Sequence, residues 1–137
     1  MRTFWTAVAA IAVISSAACA RDSFYPTQDC NSATNQRDIN QCAQDNFESA
    51  DRALNDVYHR VMDELPDQGA KDQLRDSERA WISFRDRECS RQVGPREGGG
   101  SIWPMNLANC LEEKTAGRIR ELRHSVDCPN GPNACAR

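Results

Sequence analysis

The sequence predicts an all-α fold: a three-helix bundle with a long first helix, held by disulfide bonds, with a glycine-rich loop between the second and third helices. Three observations lead to this prediction. Apolar residues recur at helical spacing in three segments, no run of residues alternates as a half-buried strand does, and cysteines flank the segments.

The N-terminus has the pattern of an export signal. Arg2 is followed by an apolar run over residues 4–14 and by small residues up to Ala20. This run is too short for a membrane-spanning helix, which needs about 20 apolar residues. Residues 1–20 are therefore predicted to be a signal peptide, and the mature chain to be exported.

Two processing routes stay open at this signal. The residues before Arg21 fit cleavage after Ala20, whereas residues 16–19 resemble a bacterial lipobox in which Cys19 would carry lipid. The expected locations are thus the periplasm, the outer membrane through a tether at acylated Cys19, or the secreted fraction.

Six cysteines remain after the signal peptide, and an even number in an exported chain predicts a disulfide framework. Joining neighbours around turns gives the expected pairs Cys30–Cys42, Cys89–Cys110 and Cys128–Cys135. No pair has the C-x-x-C spacing of a zinc site, and the chain has only two histidines. The sequence thus predicts neither a metal nor a cofactor.

The charge of the mature chain limits its partners. Without Arg2 it has 16 basic and 20 acidic residues, a net charge of −4. An acidic chain of this kind argues against a nucleic-acid partner and mildly favours a cationic one. Its length corresponds to one domain with a modest core.

The elements follow in order. Residues 21–37 are polar and predict an irregular arm fixed at Cys30. Residues 38–65 predict a long amphipathic helix, because apolar or small residues recur in steps of four and three. These are Ala43, Phe47, Ala50, Leu54, Val57 and Val61. Pro66 ends this helix, and Asp67 is placed to cap the next one.

The second helix is expected over residues 70–89, with Trp81 as its central core residue beside Leu74 and Phe84. Glycines and prolines predict a loop over residues 92–105. Helical spacing resumes at Leu107 and continues to about residue 123, so the helical domain covers residues 38–123. Residues 124–137 predict a short tail closed by a disulfide.

An ordered set of motifs runs through the three helices and the loop. In chain order they are Ala50-Asp51-x-x-Leu54-Asn55-x-x-Tyr58, Trp81-x-x-Phe84-Arg85-x-x-x-Cys89, Gly99-Gly100-Ser101-Ile102, Cys110, and Thr115-x-x-Arg118-x-x-x-Leu122.

From about Cys30 to Leu122 this set resembles the family of LprI-type lysozyme inhibitors. The resemblance implies a helical, disulfide-bonded envelope domain, lipid-anchored in some members, with inhibition of host lysozyme attributed to at least one member. The tail from Cys128 to Cys135 is not part of the family pattern.

The polar motif residues admit two interpretations. Asp51 and Asn55 lie one helical turn apart and would form either a partner site or bonds within the bundle. The internal interpretation is favoured, with Arg85 stacked on an aromatic ring while its guanidinium binds a carboxylate such as Asp51. The same preference holds for Thr115 and Arg118.

Nothing in the sequence predicts catalysis. His59 and His124 are isolated and have no nucleophile motif around them, and the adjacent carboxylates at 63–64 and 112–113 are typical of solvated faces. The chain is therefore predicted not to be an enzyme. A hydrolase would need a cleft with paired titratable groups.

The glycine-rich segment is the candidate for partner contact, because glycines let a backbone approach a surface closely and tryptophan is a common interface anchor. The candidate residues are Arg96, Gly98, Gly99, Gly100, Ser101, Ile102 and Trp103. In the alternative interpretation the glycines only turn the chain and Trp103 covers the core.

The function expected from the resemblance is that of a non-catalytic inhibitor whose partner is a lysozyme and which occludes its substrate cleft. The alternative is a non-catalytic accessory protein of the envelope, or an immunity protein against a wall-degrading toxin.

Overall fold

The structure, a computed structural model, describes residues 24–127. Its helices are α1 (Gln36–Glu64), α2 (Gln68–Val93), the short α3 (Arg96–Gly99) and α4 (Trp103–Asp127). Single 3-10 turns lie at Cys30–Ser32 and Gly100–Ile102, and the described residues contain no strand. The predicted all-α fold with three main helices is confirmed.

Short polar residues determine where two of these helices begin. The Asn35 side chain accepts a hydrogen bond from the Asp38 backbone N–H at 3.0 Å, so α1 starts at Gln36, two residues before the predicted start. Asp67 caps α2 in the same way through the Ala70 N–H, as the sequence predicted. Between them α1 ends at Glu64, two residues before Pro66.

The core lies between α1 and α4. These helices contact each other along most of their length. They run in the same direction, since Asn40 bonds to Ser101 just before α4 and Val61 packs with Leu122 toward the other end of both helices. The apolar cluster at the other end comprises the buried residues Leu54, Val57, Val61, Ile119 and Leu122. All five were expected on the apolar helix faces.

Helix α2 runs back along α4 and turns a largely polar face inward. Its buried residues are Glu78, Arg85 and Cys89. The prediction that Trp81 is the central core residue is wrong, since it is only partly buried at the edge of the core. Phe84, also expected on the apolar face, is 54% exposed. The buried face of α2 therefore consists of charged side chains and a disulfide-bonded cysteine, not of aliphatic residues.

The predicted loop over residues 92–105 is also wrong. Helix α2 continues to Val93, and α4 already begins at Trp103, so α3 and a 3-10 turn fill the interval. Pro104 does not delay α4, because a proline is tolerated in the first helical turn, where its missing N–H has no intrahelical partner. The chain breaks instead at Gly94 and Gly100, which have φ of +78° and +60°.

The N-terminal arm packs against the bundle. The Tyr25 hydroxyl donates to Glu112 Oε1 at 3.1 Å, the Asn46 side chain bonds both the N–H and the carbonyl of Gln28, and Cys30 is bonded to Cys42. The arm therefore runs antiparallel to α1 over the described residues from 24 onward.

Two disulfide bonds, Cys30–Cys42 and Cys89–Cys110, have the pairings expected from the sequence. The third expected pair, Cys128–Cys135, lies outside the described residues, as do the predicted signal peptide and Cys19. Helix α4 continues to Asp127, past the end expected at residue 123. Within residues 24–127 no helix is long and apolar enough to cross a membrane.

Candidate partner-binding site

One cluster of motif residues forms hydrogen bonds and ring contacts inside the bundle. Arg85 on α2 donates from Nη1 to Asp51 Oδ1 on α1 at 3.1 Å and to Thr115 Oγ1 on α4 at 3.2 Å. Its guanidinium also lies 5.3 Å from the Phe47 ring centre and 5.4 Å from that of Trp81. The Arg85 guanidinium thus binds Asp51 while it contacts aromatic rings, which is the internal arrangement that the sequence favoured, and the two rings are those of Phe47 and Trp81.

A second brace lies one helical turn away. Arg118 on α4 bonds Glu78 Oε2 on α2 at 2.9–3.0 Å and Glu121 at 2.9 Å, and it lies 5.7 Å from the Trp81 ring centre. The Trp81 indole therefore contacts two guanidinium groups. Because these polar groups bond to one another, the cluster offers little to a partner.

The remaining motif residues on α1 either pack in the core or form a hydrogen bond within α1. Leu54 is buried in the core and Tyr58 packs against it. The exposed Asn55 amide donates to the Asp51 backbone carbonyl at 3.1 Å, so Asp51 and Asn55 do not combine into a binding pair.

The glycine-rich candidate residues, by contrast, form one exposed corner between α2 and α4, and residues 96–103 are called the corner below. Gly98, Gly100 and Ser101 are exposed, and Ile102 is 46% exposed although it is apolar. An isolated exposed isoleucine with no core contact is available for an interface.

The Trp103 side chain contacts the corner and the end of α2. Its indole Nε1–H donates to the Gly94 carbonyl at 3.0 Å, and the Arg96 guanidinium lies 5.7 Å from its ring centre. A Cβ atom at Gly99 would overlap the Trp103 side chain, so this close approach requires glycine. Trp103 is thus half-buried, and its contacts position the corner.

Contacts that involve all three main helices also fix the corner. The Asn40 amide of α1 donates to the Ser101 carbonyl at 2.9 Å. The disulfide between Cys89 and Cys110 links the last turns of α2 to the second turn of α4, so it closes the chain around the corner. These contacts fix the backbone without using the exposed side chains.

A groove of about 590 Å³ separates the corner from the first turns of α1. Helix α1 contributes mainly amide side chains to its wall: Gln36, Arg37, Asn40, Gln41 and Gln44. The opposite wall is formed by Arg96, Gly100, Ser101, Trp103 and Pro104. Four of the seven candidate residues therefore line the groove, and the other three, Gly98, Gly99 and Ile102, do not.

Sequence reasoning missed the α1 wall completely. Arg37 lies at the boundary between the predicted arm and the predicted first helix, and no local pattern relates it to residues about 60 positions later. Only the packing of α1 beside the corner brings Arg37 and Arg96 to one groove.

The charge in this groove is opposite to that of the chain. Its walls contain two arginines and no carboxylate. Within residues 24–127 neither Arg37 nor Arg96 forms an ion pair, whereas the two braces pair Arg85 and Arg118 with carboxylates. The groove is therefore a positive site on an acidic protein.

The groove has the chemistry of a binding site. Its walls carry amides, a hydroxyl and guanidinium groups but no histidine, cysteine or carboxylate that would act as an acid, base or nucleophile. Within the described part of the chain no group of three or more potential metal ligands comes together.

Comparison with known proteins supports the motif analysis. The family model described as lysozyme inhibitor LprI matches residues 27–122. An uncharacterized protein of Rhizobium meliloti (strain 1021) is 36% identical over 114 residues, covering 74% of this chain and 81% of the relative. No solved structure matches the chain.

Proposed function

Because this chain belongs to the LprI lysozyme inhibitor family, we propose that it binds a lysozyme through the corner and the adjacent groove and thereby occludes the substrate cleft. The observation that carries the proposal is the corner itself. Its backbone is fixed by internal contacts, and it exposes Gly100, Ser101 and Ile102, which are motif residues that the internal braces do not use.

The shape of this end of the molecule suits a cleft. Lysozymes cleave glycosidic bonds in an open groove that contains two carboxyl groups. The corner offers glycine backbone, the Ser101 hydroxyl and the Ile102 side chain to the cleft, and the groove beside the corner would face the interior of the same cleft. An interface of about 800 Å² on each partner is typical of such complexes.

Rigidity supports the same site. Ordering a flexible loop on binding costs free energy, and this cost is smaller when the loop is already fixed in the free protein. Here the Trp103 indole, the Asn40 amide and the Cys89–Cys110 disulfide hold the corner before any partner arrives.

The disulfides and the family together point to a place outside the cytoplasm. We propose the periplasm or the outer membrane as the working location, with Cys19 as the tether if the lipobox is used. A net charge of −4 on the mature chain would help to attract a cationic lysozyme over longer distances.

The test is inhibition by refolded, disulfide-intact mature protein in a cell-wall turbidity assay with a c-type lysozyme. Gly98→Trp adds bulk to the corner where a side chain meets nothing within 4 Å and φ is not positive, so the fold should tolerate it. We expect saturable inhibition by the wild type and a loss of at least about tenfold in the inhibition constant for Gly98→Trp.

A matched control is Gln73→Trp, which places the same side chain on an exposed position of α2 near its other end. It should inhibit as the wild type does. Absence of inhibition by the wild type at micromolar excess would contradict the proposal and favour the accessory or immunity alternative. Equal inhibition by all three proteins would place the binding surface elsewhere.

A further inference from the structure

We propose that Arg37 and Arg96 act together as a carboxylate-binding pair, which engages the two acidic side chains in the cleft of the lysozyme. This inference rests on the proposed function and deepens it, because it names the chemical groups of the partner and the residues that contact them. Arg37 lies outside the motif set and outside the glycine-rich segment.

The first support is that neither arginine has an ion-pair partner among the described residues, although Arg96 lies over the Trp103 ring. Arg37 is exposed on the first turn of α1 and Arg96 is exposed at the start of α3, and neither forms an ion pair within residues 24–127. The nearby carboxylates Asp45 and Glu48 accept hydrogen bonds from the amides of Gln41 and Gln44 instead. The two guanidinium groups are therefore available at the groove.

The second support is the chemistry of the guanidinium group. Its planar array of N–H donors binds a carboxylate with two parallel hydrogen bonds, which a lysine cannot do. Two such groups on opposite walls of one groove match a partner that presents two carboxyl groups. A polyphosphate partner is disfavoured by the acidic character of the rest of the chain.

The third support is position. Arg96 belongs to the corner, and Arg37 lies on the facing wall, so a partner that holds the corner in its cleft meets both arginines at once. The overall negative charge would draw a cationic enzyme toward the molecule, whereas this positive groove would determine which part of the enzyme faces it.

The experiment is a double-mutant cycle by calorimetry. Mature wild type and the R37Q/R96Q variant are each titrated with native lysozyme and with a lysozyme whose two catalytic carboxylates are replaced by amides. We expect R37Q/R96Q to raise Kd for native lysozyme about 100-fold, roughly tenfold for each arginine, and to raise it less than about threefold for the amide form.

The matched control is R52Q/R60Q, which removes the same charge from exposed positions on α1. These residues lie eight and sixteen positions beyond Gln44, about 12 and 24 Å at 1.5 Å per residue. The control should bind native lysozyme within about threefold of the wild type, because it tests long-range attraction alone. Thermal melts should show all the variants to be folded.

The outcomes separate the two proposals. If the wild type binds native lysozyme and R37Q/R96Q binds it equally well, or loses equal affinity for both forms of the enzyme, the arginine pair is overturned and inhibition stands. If the wild type does not bind native lysozyme at all, the proposed function fails and the pair fails with it.

Discussion

Arg85 on α2 and Asp51 on α1 are joined by a 3.1 Å ion pair in which the arginine side chain is only 8% exposed. The same nitrogen atom bonds Thr115 on α4, so one guanidinium group links the three main helices. Helix α2 has no fully buried aliphatic residue among its buried positions, and its attachment therefore depends on such polar contacts.

We predict that Arg85→Met lowers the free energy of unfolding by about 2–4 kcal/mol, because the substitution removes both interhelical bonds and the contacts with two aromatic rings. Urea unfolding of the disulfide-intact protein measures the change. Arg87→Met on the exposed face of the same helix is the control, with an expected change of less than about 0.5 kcal/mol. Equal effects of the two substitutions would contradict the role of the brace.

The Glu78–Arg118 pair makes a different prediction. Its side chains are 10% and 14% exposed, and Glu78 Oε1 is buried without a hydrogen-bond partner. Glu78→Met alone should cost about 2–3 kcal/mol, because the mostly buried Arg118 guanidinium then has only the exposed Glu121 as its carboxylate partner, whereas the double variant E78M/R118M should recover most of that loss. A double variant that is less stable than the single one, by chemical denaturation, would show the pair to be net stabilising.

Gly99 and Gly98 should respond differently to alanine. At Gly99 the added methyl group overlaps Trp103, so we expect a loss of about 1–3 kcal/mol and a shift in tryptophan fluorescence as the indole moves. At Gly98 the methyl group meets nothing within 4 Å, and the change should stay within about 1 kcal/mol. Similar stabilities and spectra for the two variants would refute the packing of the corner on Trp103.

Tyr25 supplies a prediction about pH. Burial raises the pKa of its phenol from 10.0 to about 12, and the nearby Glu112 carboxylate adds to the shift. Since the folded pKa is the higher one, the stability that this group contributes is complete below pH 10 and is lost as the pH rises toward 12.

Absorbance titration at alkaline pH tests this shift. The difference between the wild type and Tyr25→Phe should isolate a phenol that ionises near pH 12. Ionisation of that group near pH 10 would mean that the arm is not packed on α4 in solution.

The helices were predictable because their burial follows one short period. Val57, Val61, Ile119 and Leu122 recur at helical spacing, and their positions in the core follow from that spacing alone. The Asp67 cap was predictable for a similar reason, since its hydrogen bond reaches only three residues along the chain.

The errors came from contacts between distant residues. Aromatic residues bury the largest area, which predicts Trp81 at the core centre, but its ring lies at the core edge, where the guanidinium groups of Arg85 and Arg118 contact it. The glycines of the corner predict a loop, but Gly99 packs directly against the Trp103 side chain, and this contact cannot be derived from the local sequence. The wall that Arg37 adds to the groove depends on the placement of α1 beside residues about 60 positions later.

Occupation of the cleft is the central claim, and competition with a cleft ligand tests it most directly. The affinity of the mature protein for lysozyme would be measured by calorimetry without a chito-oligosaccharide and at several concentrations of it above its own Kd. If the corner enters the cleft, the apparent Kd should rise in proportion to the saccharide concentration. An unchanged Kd would show that protein and saccharide bind together, which would contradict the account.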